Sequence, residues 1–214
     1  MRALRDALAA LVLGVAMATT AFAAAPGFVD ALLAGMARTP PASTPFVQVS
    51  YRGVLDRPLV VSGTLHWFGG DRMQRDIDKP FRETAKIGDG ELSVQRGNGK
   101  VHRVSLARAP QAGAVLAGFR AMLGGDAAAL RKEFMLSAQG DDTNWTMTLV
   151  PRTGQLKQKL VSIAVDGRGH EARCLVVQDA NGDSSIMLVG AMAEQGLHSA
   201  TPQEPVLVAR CRGQ

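Results

Sequence analysis

The feature of this sequence that most constrains its fold is a succession of short alternating segments separated by glycine-containing turns. In the segment 59–67, every second residue is apolar or glycine, which is the period of a β-strand with one face turned to a core. Glycine-rich turns follow at 88–90 and 97–99, and Asp-Gly or Asn-Gly steps at 166–167 and 181–182 also favour tight hairpins. The pattern predicts about eleven strands in meander order, and therefore a mainly β fold: one strongly curved antiparallel sheet or a half-open β-barrel. The first strand is expected at 46–55, and the later ones at 134–139, 145–150, 159–166, 171–179, 183–190 and 206–211.

Helical segments interrupt the strand pattern. A short amphipathic helix is expected to begin at Phe28, and a second one to cover residues 111–123, ended by two glycines. Asp126 is placed to cap a third helix. The apolar residues expected to form a lid over the concave side of the sheet are Val115, Leu116, Phe119, Met122, Leu123, Leu130 and Phe134. This short helical lid either fills one end of the fold as fixed core or moves, and both alternatives stay open.

The start of the chain predicts an export signal. Two arginines precede an apolar run, residues 7–18, that is too short to span a bilayer, and an A-x-A cleavage pattern follows at 21–23. Cleavage is expected after Ala23, with a cut after Ala25 as the alternative. The mature protein, residues 24–214, is then an exported single domain.

The chain has two cysteines, Cys174 and Cys211. In an oxidising compartment an even pair favours a disulfide, which here would tie the C-terminal strand to the body of the fold. Two buried free thiols are the alternative. The spacing is not C-x-x-C, so redox catalysis is not indicated.

The segment 72–87, RMQRDIDKPFRETAKI, predicts a hairpin that turns charged residues inward. With a three-residue turn, Asp76 faces Thr84 and one face of the hairpin is polar, whereas a two-residue turn would mix the faces. On the other face, Arg75 and Glu83 are diagonal neighbours among apolar residues and are expected to form a polar pair in the cavity. The alternative is an edge-strand pair that extends to solvent.

The apolar faces of the strands predict a binding cavity. Methionines spread along the chain offer adaptable apolar surface, although ordinary core packing is the alternative use. The residues expected to line a lipid-binding cavity are Leu59, Val61, Leu65, Trp67, Met73, Arg75, Ile77 and Ile87.

No pattern in the sequence predicts catalysis, and no catalytic residue, metal or cofactor is expected. The chain lacks the motifs of serine hydrolases, zinc proteases, phosphate loops and dinucleotide-binding loops, and its four histidines lack metal-ligand spacing. Residues 179–183 imitate the start of a calcium loop but lack its glycine and closing glutamate, so a hairpin turn is expected. The net charge of +5 includes no basic block, so nucleic acid is not an expected partner.

In their order and spacing, several short motifs resemble the LolA-type periplasmic carriers of outer-membrane lipoproteins over essentially the whole mature length. These motifs are Phe46-Val47-Gln48, Gly63-Thr64-Leu65, Pro80, Asp89-Gly90, the helical lid region, Trp145 to Pro151, Lys159 to Gly167 and Asp179 to Asp183. The resemblance implies a periplasmic, monomeric half-barrel that shields the acyl chains of a lipoprotein or other lipid during transfer from the inner to the outer membrane. It also implies an inner-membrane ABC-type extraction complex, an outer-membrane receptor and transient membrane contact.

Two departures predict a divergent relative whose client need not be a lipoprotein. Where the family has a Lys-Arg-Pro step with an inward arginine that holds the lid, this chain has residues 68–71, FGGD, and the aromatic-rich segment of the family is replaced by 91–94, ELSV. Arg75 is the candidate to take over the role of the missing arginine. A non-catalytic assembly or scaffold factor of the envelope is the alternative function, and a hydrolase of envelope lipids is the less favoured one.

Overall fold

A computed structural model describes residues 27–108, 110–199 and 201–214. The predicted export signal and both of its cleavage positions lie outside these residues. Eleven strands form one antiparallel sheet in the order β6-β5-β4-β3-β2-β1-β11-β10-β9-β8-β7. The strands are β1 Ala42–Tyr51, β2 Leu59–Trp67, β3 Met73–Lys79, β4 Glu83–Gly88, β5 Glu91–Arg96, β6 Val101–Ser105, β7 Phe134–Gly140, β8 Trp145–Pro151, β9 Leu160–Arg168, β10 Glu171–Asp179 and β11 Ser184–Val189.

Two meanders make up this sheet, β1 to β6 and β7 to β11, and the pairing of β1 with β11 joins them. The sheet stays open because its outermost strands, β6 and β7, lie at opposite ends of the order. The prediction of a mainly β, strongly curved antiparallel sheet is therefore confirmed as an open half-barrel with helices.

Helices cover both faces of the sheet. They are α1 Phe28–Met36, α2 Pro110–Leu123, α3 Ala127–Glu133, α4 Gly154–Lys157, α5 Ala191–Glu194 and α6 Glu204–Cys211, and a 3-10 turn at Leu106–Arg108 leads from β6 towards α2. Helices α1 to α4 pack on the concave face, while α5 and α6 pack on the convex face. In the described part of the chain, no helix combines the length and the apolar character needed to cross a membrane.

The core has two layers, one on each face of the sheet. On the concave side, Leu33 of α1, Leu130 of α3 and Phe134 of β7 are fully buried together. The convex layer contains Cys174, Ile186, Leu188 and Leu207, among others. Strand β10 serves both layers, since Leu175 belongs to the concave one and Val176 to the convex one. Residues 174–177, CLVV, are apolar on both faces of the strand because each face packs against a different core layer.

The expected strand at 206–211 is wrong, because the segment belongs to helix α6. Pro205 lies in the first turn, where the missing N–H costs no hydrogen bond. Leu207 and Cys211, four residues apart, are both buried on the convex core, whereas Val206 is 68% exposed. Helical spacing therefore places Leu207 and Cys211 together on the buried face.

The expected turn at 166–167 is also wrong, because β9 continues through both residues to Arg168. The chain turns instead at Gly169, whose φ of 56° lies in the left-handed region. Gly167 is small for a packing reason: a Cβ there would stand 2.1 Å from the Trp145 ring. The first strand also differs from its expected range of 46–55, as β1 begins and ends four residues earlier.

The other predicted turns are hairpins. Asp89 and Gly90 both have positive φ, 53° and 71°, between β4 and β5, as a two-residue turn of this type requires. The N–H of Gly99 donates to the carbonyl of Arg96 in the turn between β5 and β6. The calcium-like segment 179–183 is the β10–β11 hairpin turn, as expected.

Candidate functional site

The hairpin of β3 and β4 has the register that the three-residue turn predicts. Asp76 lies opposite Thr84, and Ile77 lies opposite Glu83. On the convex face, the Thr84 hydroxyl donates to Asp76 Oδ1 at 2.6 Å, and Gln74 Nε2 donates to Oδ2 at 2.7 Å. Burial acts to raise the pKa of Asp76, but these two hydrogen bonds and nearby charges, including that of Lys86, lower it overall. The register is therefore confirmed, and it fixes which side chains face the helices.

Cross-strand pairing places an apolar row on the concave face, perpendicular to the strands. The paired residues, in order from β2 to β6, are Trp67, Met73, Ile87, Leu92 and Val104. Met73, Ile87 and Leu92 are half-buried, and Val104 at the sheet edge is 47% exposed. The row is a continuous strip of apolar surface that the core does not fully cover.

The predicted cavity residues lie on this face but differ in burial. Val61 and Ile77 belong to the concave core, and Leu65 packs partly against it. Trp67 is buried, with its indole N–H donating to the carbonyl of Gly70 at 3.1 Å. Leu59, near the start of β2, is 40% exposed and stands apart.

Arg75 lies next to the apolar row, with its guanidinium held in a fixed orientation. Its Nη2 donates to Gln48 Oε1 at 3.0 Å, and its central carbon lies 4.8 Å from the centre of the Phe46 ring. Phe46 is itself buried, so the ring is a rigid support. Burial lowers the pKa of Arg75, and the negative charge of Glu83 opposes this shift.

Glu83 pairs with a different arginine from the one expected. Its Oε2 accepts from Arg96 Nε at 3.1 Å and from Arg96 Nη2 at 2.9 Å. Arg96 lies directly opposite Glu83 on β5, whereas Arg75 is its diagonal neighbour on β3, and direct pairs lie closer. Arg75 and Glu83 thus share the concave face but have separate partners, Gln48 and Arg96.

Four of the predicted lid residues lie over the concave face. Met122, Leu130 and Phe134 are buried, and Phe119 packs against the same core. Phe134 is the first residue of β7. Of the remaining predicted lid residues, Leu116 and Leu123 are half-buried. The side chain of Val115 lies outside the described part of the structure.

Two polar contacts hold the helices in place. Asp126 caps α3, accepting from the N–H of Ala129 at 2.9 Å, as the sequence predicts. Arg131 of α3 donates to both carboxylate oxygens of Asp30 on α1, at 2.6 and 3.0 Å. The contact lowers the pKa of Asp30. The lid helices in this conformation are packed as core.

On the convex face, Cys174 of β10 and Cys211 of α6 form a disulfide, with an S–S distance of 2.06 Å and a Cα–Cα distance of 5.7 Å. The bond joins the last helix to the middle of the sheet. Both cysteines are buried.

Asp166 of β9 is a fully buried carboxylate beneath the C-terminal segment. Thr146 Oγ1 donates to its Oδ1 at 2.5 Å, and Arg212 Nε lies 3.7 Å from the same oxygen. Its Oδ2 has no hydrogen-bond partner among the described residues. Burial raises the pKa of Asp166, against the lowering effects of Thr146, Arg212 and Arg173.

Neither of two surface pockets coincides with the predicted cavity. One, of about 450 Å³, lies beside α6, and the other, of about 280 Å³, lies between the β1–β2 loop and Gly182. Within the described ranges, no three His, Cys, Asp or Glu side chains converge as a metal site would require. The concave face of β2 to β6, with Arg75 beside its apolar row, is therefore the candidate site.

The sequence did not identify Phe46, Gln48, Leu92, Arg96 and Val104 as part of this face. The signal for Leu92 and Arg96 is the Asp89-Gly90 turn, because a two-residue hairpin fixes the register of β5 on β4. The turn at 97–99 then places Val104 of β6 opposite Leu92. The contacts of Phe46 and Gln48 with Arg75 cross β2, and no local pattern encodes them.

The fold and the candidate site define a class of open half-barrels, in which one antiparallel sheet carries helices on its concave face. Residues 21–212 match the family described as "Outer membrane lipoprotein carrier protein LolA-like". The chain belongs to this LolA-like family, of which it is a divergent member.

Two solved structures are similar to parts of this fold. A LolA superfamily protein from Nitrosomonas europaea is 10% identical, with a TM-score of 0.41, covering 76% of this chain and 91% of that one. A DUF1329 family protein from Desulfovibrio piger is 11% identical, with a TM-score of 0.39, covering 77% and 89%. A comparison with curated proteins gave no match.

Proposed function

We propose that this protein is a non-catalytic periplasmic carrier that binds the acyl chains of a lipoprotein or another lipid and transfers it from the inner to the outer membrane. The observation that carries the proposal is the half-buried apolar row on the concave face, in a chain of the LolA-like family. Ile87 and Leu92, at the middle of the row, face the concave side, and core residues do not fully cover their apolar side chains. Each CH₂ group of a client that such a surface removes from water contributes about 0.8 kcal/mol.

Where the acyl chain extends beyond the half-buried row and beneath the helices, binding requires that α2 and α3 give way. Leu130 and Phe134 fill the space between helices and sheet, so an acyl chain enters by replacing contacts of these side chains rather than by occupying an empty cavity. The exchange is feasible because both states bury apolar surface. Of the two alternatives for the lid, fixed core or movable, the proposed function therefore requires the movable one.

The proposed cellular setting is supported by the predicted export signal and by the family. Export through the signal at residues 1–23 would deliver a single domain, 24–214, to the periplasm, where the Cys174–Cys211 disulfide is stable. An inner-membrane ABC-type complex would load the monomeric carrier and an outer-membrane receptor would unload it, with transient membrane contact at each step.

The test is direct binding of an acyl chain to the mature protein. Native mass spectrometry after purification from the envelope should show one bound lipid or acylated polypeptide, and titration with a fluorescent acyl probe should saturate at one equivalent. Leu92→Asn on the concave face should weaken probe binding at least fivefold, since it places an amide in the apolar row.

The matched control is Ser93→Asn, one residue along the same strand, whose side chain points to the convex face. It should bind the probe as the wild type does. A clean apo mass with no probe uptake would contradict the carrier function and favour the envelope assembly factor.

A further inference from the structure

We propose that the client of this carrier has an anionic headgroup, a carboxylate or a phosphate, that binds to the guanidinium of Arg75 while the acyl chain lies along the apolar row of β3 to β6. The inference rests on the proposed function and names the chemical class of its ligand. A neutral diacylglyceryl or amide-linked headgroup would leave the charge of Arg75 without a counter-ion.

The first argument is the distribution of charge over the two faces. On β4 to β6 and on β3 up to Ile77, the concave face carries one acid, Glu83, against two arginines, Arg75 and Arg96. The acids Asp76 and Glu91 point to the convex side. The concave face of this half of the sheet therefore has a net positive charge, which attracts an anion.

The second argument is that Glu83, the acid on this face, already forms an ion pair with Arg96. Glu83 accepts two hydrogen bonds from Arg96, whose guanidinium also stacks on Phe81 at 5.0 Å from the ring centre. Arg75, in contrast, has no carboxylate within 4 Å among the described residues, and its one side-chain hydrogen bond is to the neutral Gln48. Glu83 therefore acts on Arg75 only at longer range, and Arg75 is the arginine of this face that has no direct ion pair among the described residues.

The third argument is that the site is built in advance. Phe46 supports one face of the Arg75 guanidinium and Gln48 holds Nη2, so the planar fork keeps its orientation without a ligand. A guanidinium has five N–H donors, and Gln48 uses one of them. The remaining donors suit the paired oxygens of a carboxylate or phosphate, and partial burial strengthens such a pair.

The geometry also fits a headgroup with a chain attached. Arg75 is adjacent in β3 to the row formed by Met73, Ile87, Leu92 and Val104. This row crosses three interstrand spacings, about 14 Å, from Arg75 to the open edge at β6. A ligand anchored at Arg75 can therefore extend its chain over apolar side chains alone.

The experiment is competition with a fluorescent acyl probe on the mature wild-type protein. The competitors are palmitic acid, methyl palmitate, palmitoyl lysophosphatidic acid and monopalmitoylglycerol, each below its critical micelle concentration, together with inorganic phosphate. We expect one or both acids to bind at least roughly tenfold more tightly than the neutral ligand of the same chain, and phosphate alone to compete weakly. The stronger acid of the two identifies the headgroup.

Three variants test the residue. Arg75→Gln should abolish the preference for the acids while retaining methyl palmitate binding, and Arg75→Lys should keep only part of it, since lysine lacks the fork. Arg103→Gln, on the convex face of β6 and paired with Glu91, is the control and should keep the full preference. Thermal unfolding checks that each variant is folded, and the wild-type comparison stands by itself if one is not.

The outcomes separate the two proposals. Equal binding of acids and neutral ligands by the wild type, or an acid preference that survives in folded Arg75→Gln, would overturn the anionic headgroup and leave the carrier function intact. Competition by inorganic phosphate as strong as that by lysophosphatidic acid would show that the ligand is a free anion. Absence of any probe binding would instead refute the carrier function.

Discussion

Replacement of Gly167 by alanine should destabilise the protein, although alanine is usually the better residue inside a strand. Gly167 lies within β9, directly opposite Trp145 of β8. A Cβ on it would stand 2.1 Å from Cζ2 and 2.4 Å from Cη2 of the Trp145 ring. Real contacts of this kind do not occur, so the buried indole must move.

The expected change in the free energy of unfolding combines two destabilising contributions and one stabilising contribution. Overpacking of a core costs about 1–3 kcal/mol. Displacement of the indole also weakens the hydrogen bond from Trp145 Nε1 to the carbonyl of Gly169, 2.8 Å long, at about 1–2 kcal/mol. Lower chain entropy of the unfolded state returns about 0.5–1 kcal/mol. The net loss is about 2–3 kcal/mol, or roughly 4–12 °C in Tm for a chain of this size.

Urea unfolding followed by tryptophan fluorescence measures this difference. The matched control is Gly154→Ala at the start of α4, where a Cβ meets nothing within 4 Å and where the stability should stay within about 1 kcal/mol of the wild type. If Gly167→Ala is as stable as the wild type, Trp145 does not pack on residue 167 and the account of this strand is incorrect.

Three further predictions concern elements that hold the fold. Replacing both Cys174 and Cys211 by serine should cost about 4 kcal/mol, from the chain entropy of a loop spanning 37 residues, and a reductant should then have no further effect on urea unfolding. Asp126→Ala should lose about 1 kcal/mol through the cap of α3, with unchanged stability of Asp142→Ala as the control, measured by thermal unfolding. Because the pKa of Asp166 is raised in the folded protein, the folded state holds the proton more tightly than the unfolded one. Its contribution to the free energy of unfolding should therefore fall as the pH rises from about 3.8 through the raised value. Urea titrations across this window should show that slope in the wild type and not in Asp166→Asn, and parallel curves would contradict it.

Local patterns were sufficient to predict the elements whose partners are close in sequence. The hairpin of β3 and β4 follows from one turn and a period of two, so its register was predictable from Asp76 and Thr84. Helix α3 follows from the cap at Asp126 and the apolar spacing after it.

Elements that depend on distant partners could not be predicted in this way. Residues 206–211 alternate well enough for a strand, and only the convex core beneath Leu207, together with the disulfide, selects a helix. Gly167 follows an aspartate, as hairpin glycines do, but its role is set by Trp145, which is 22 positions earlier in the chain. The partner of Glu83 is likewise decided by β5, outside the hairpin that contains it.

The two layers of the core differ in how their helices are attached to the sheet. A covalent bond joins α6 to β10 in the convex layer, whereas the helices of the concave layer pack on the sheet through apolar side chains, and the exposed ion pair of Asp30 with Arg131 joins α1 to α3. The convex side of the sheet is thus cross-linked, whereas the described helices on the concave side are held by non-covalent contacts. Amide hydrogen exchange should accordingly be slow in β10 and β11 under conditions in which α2 and α3 exchange freely. In the proposed carrier, cargo would then be released without loosening the frame that shapes the binding surface.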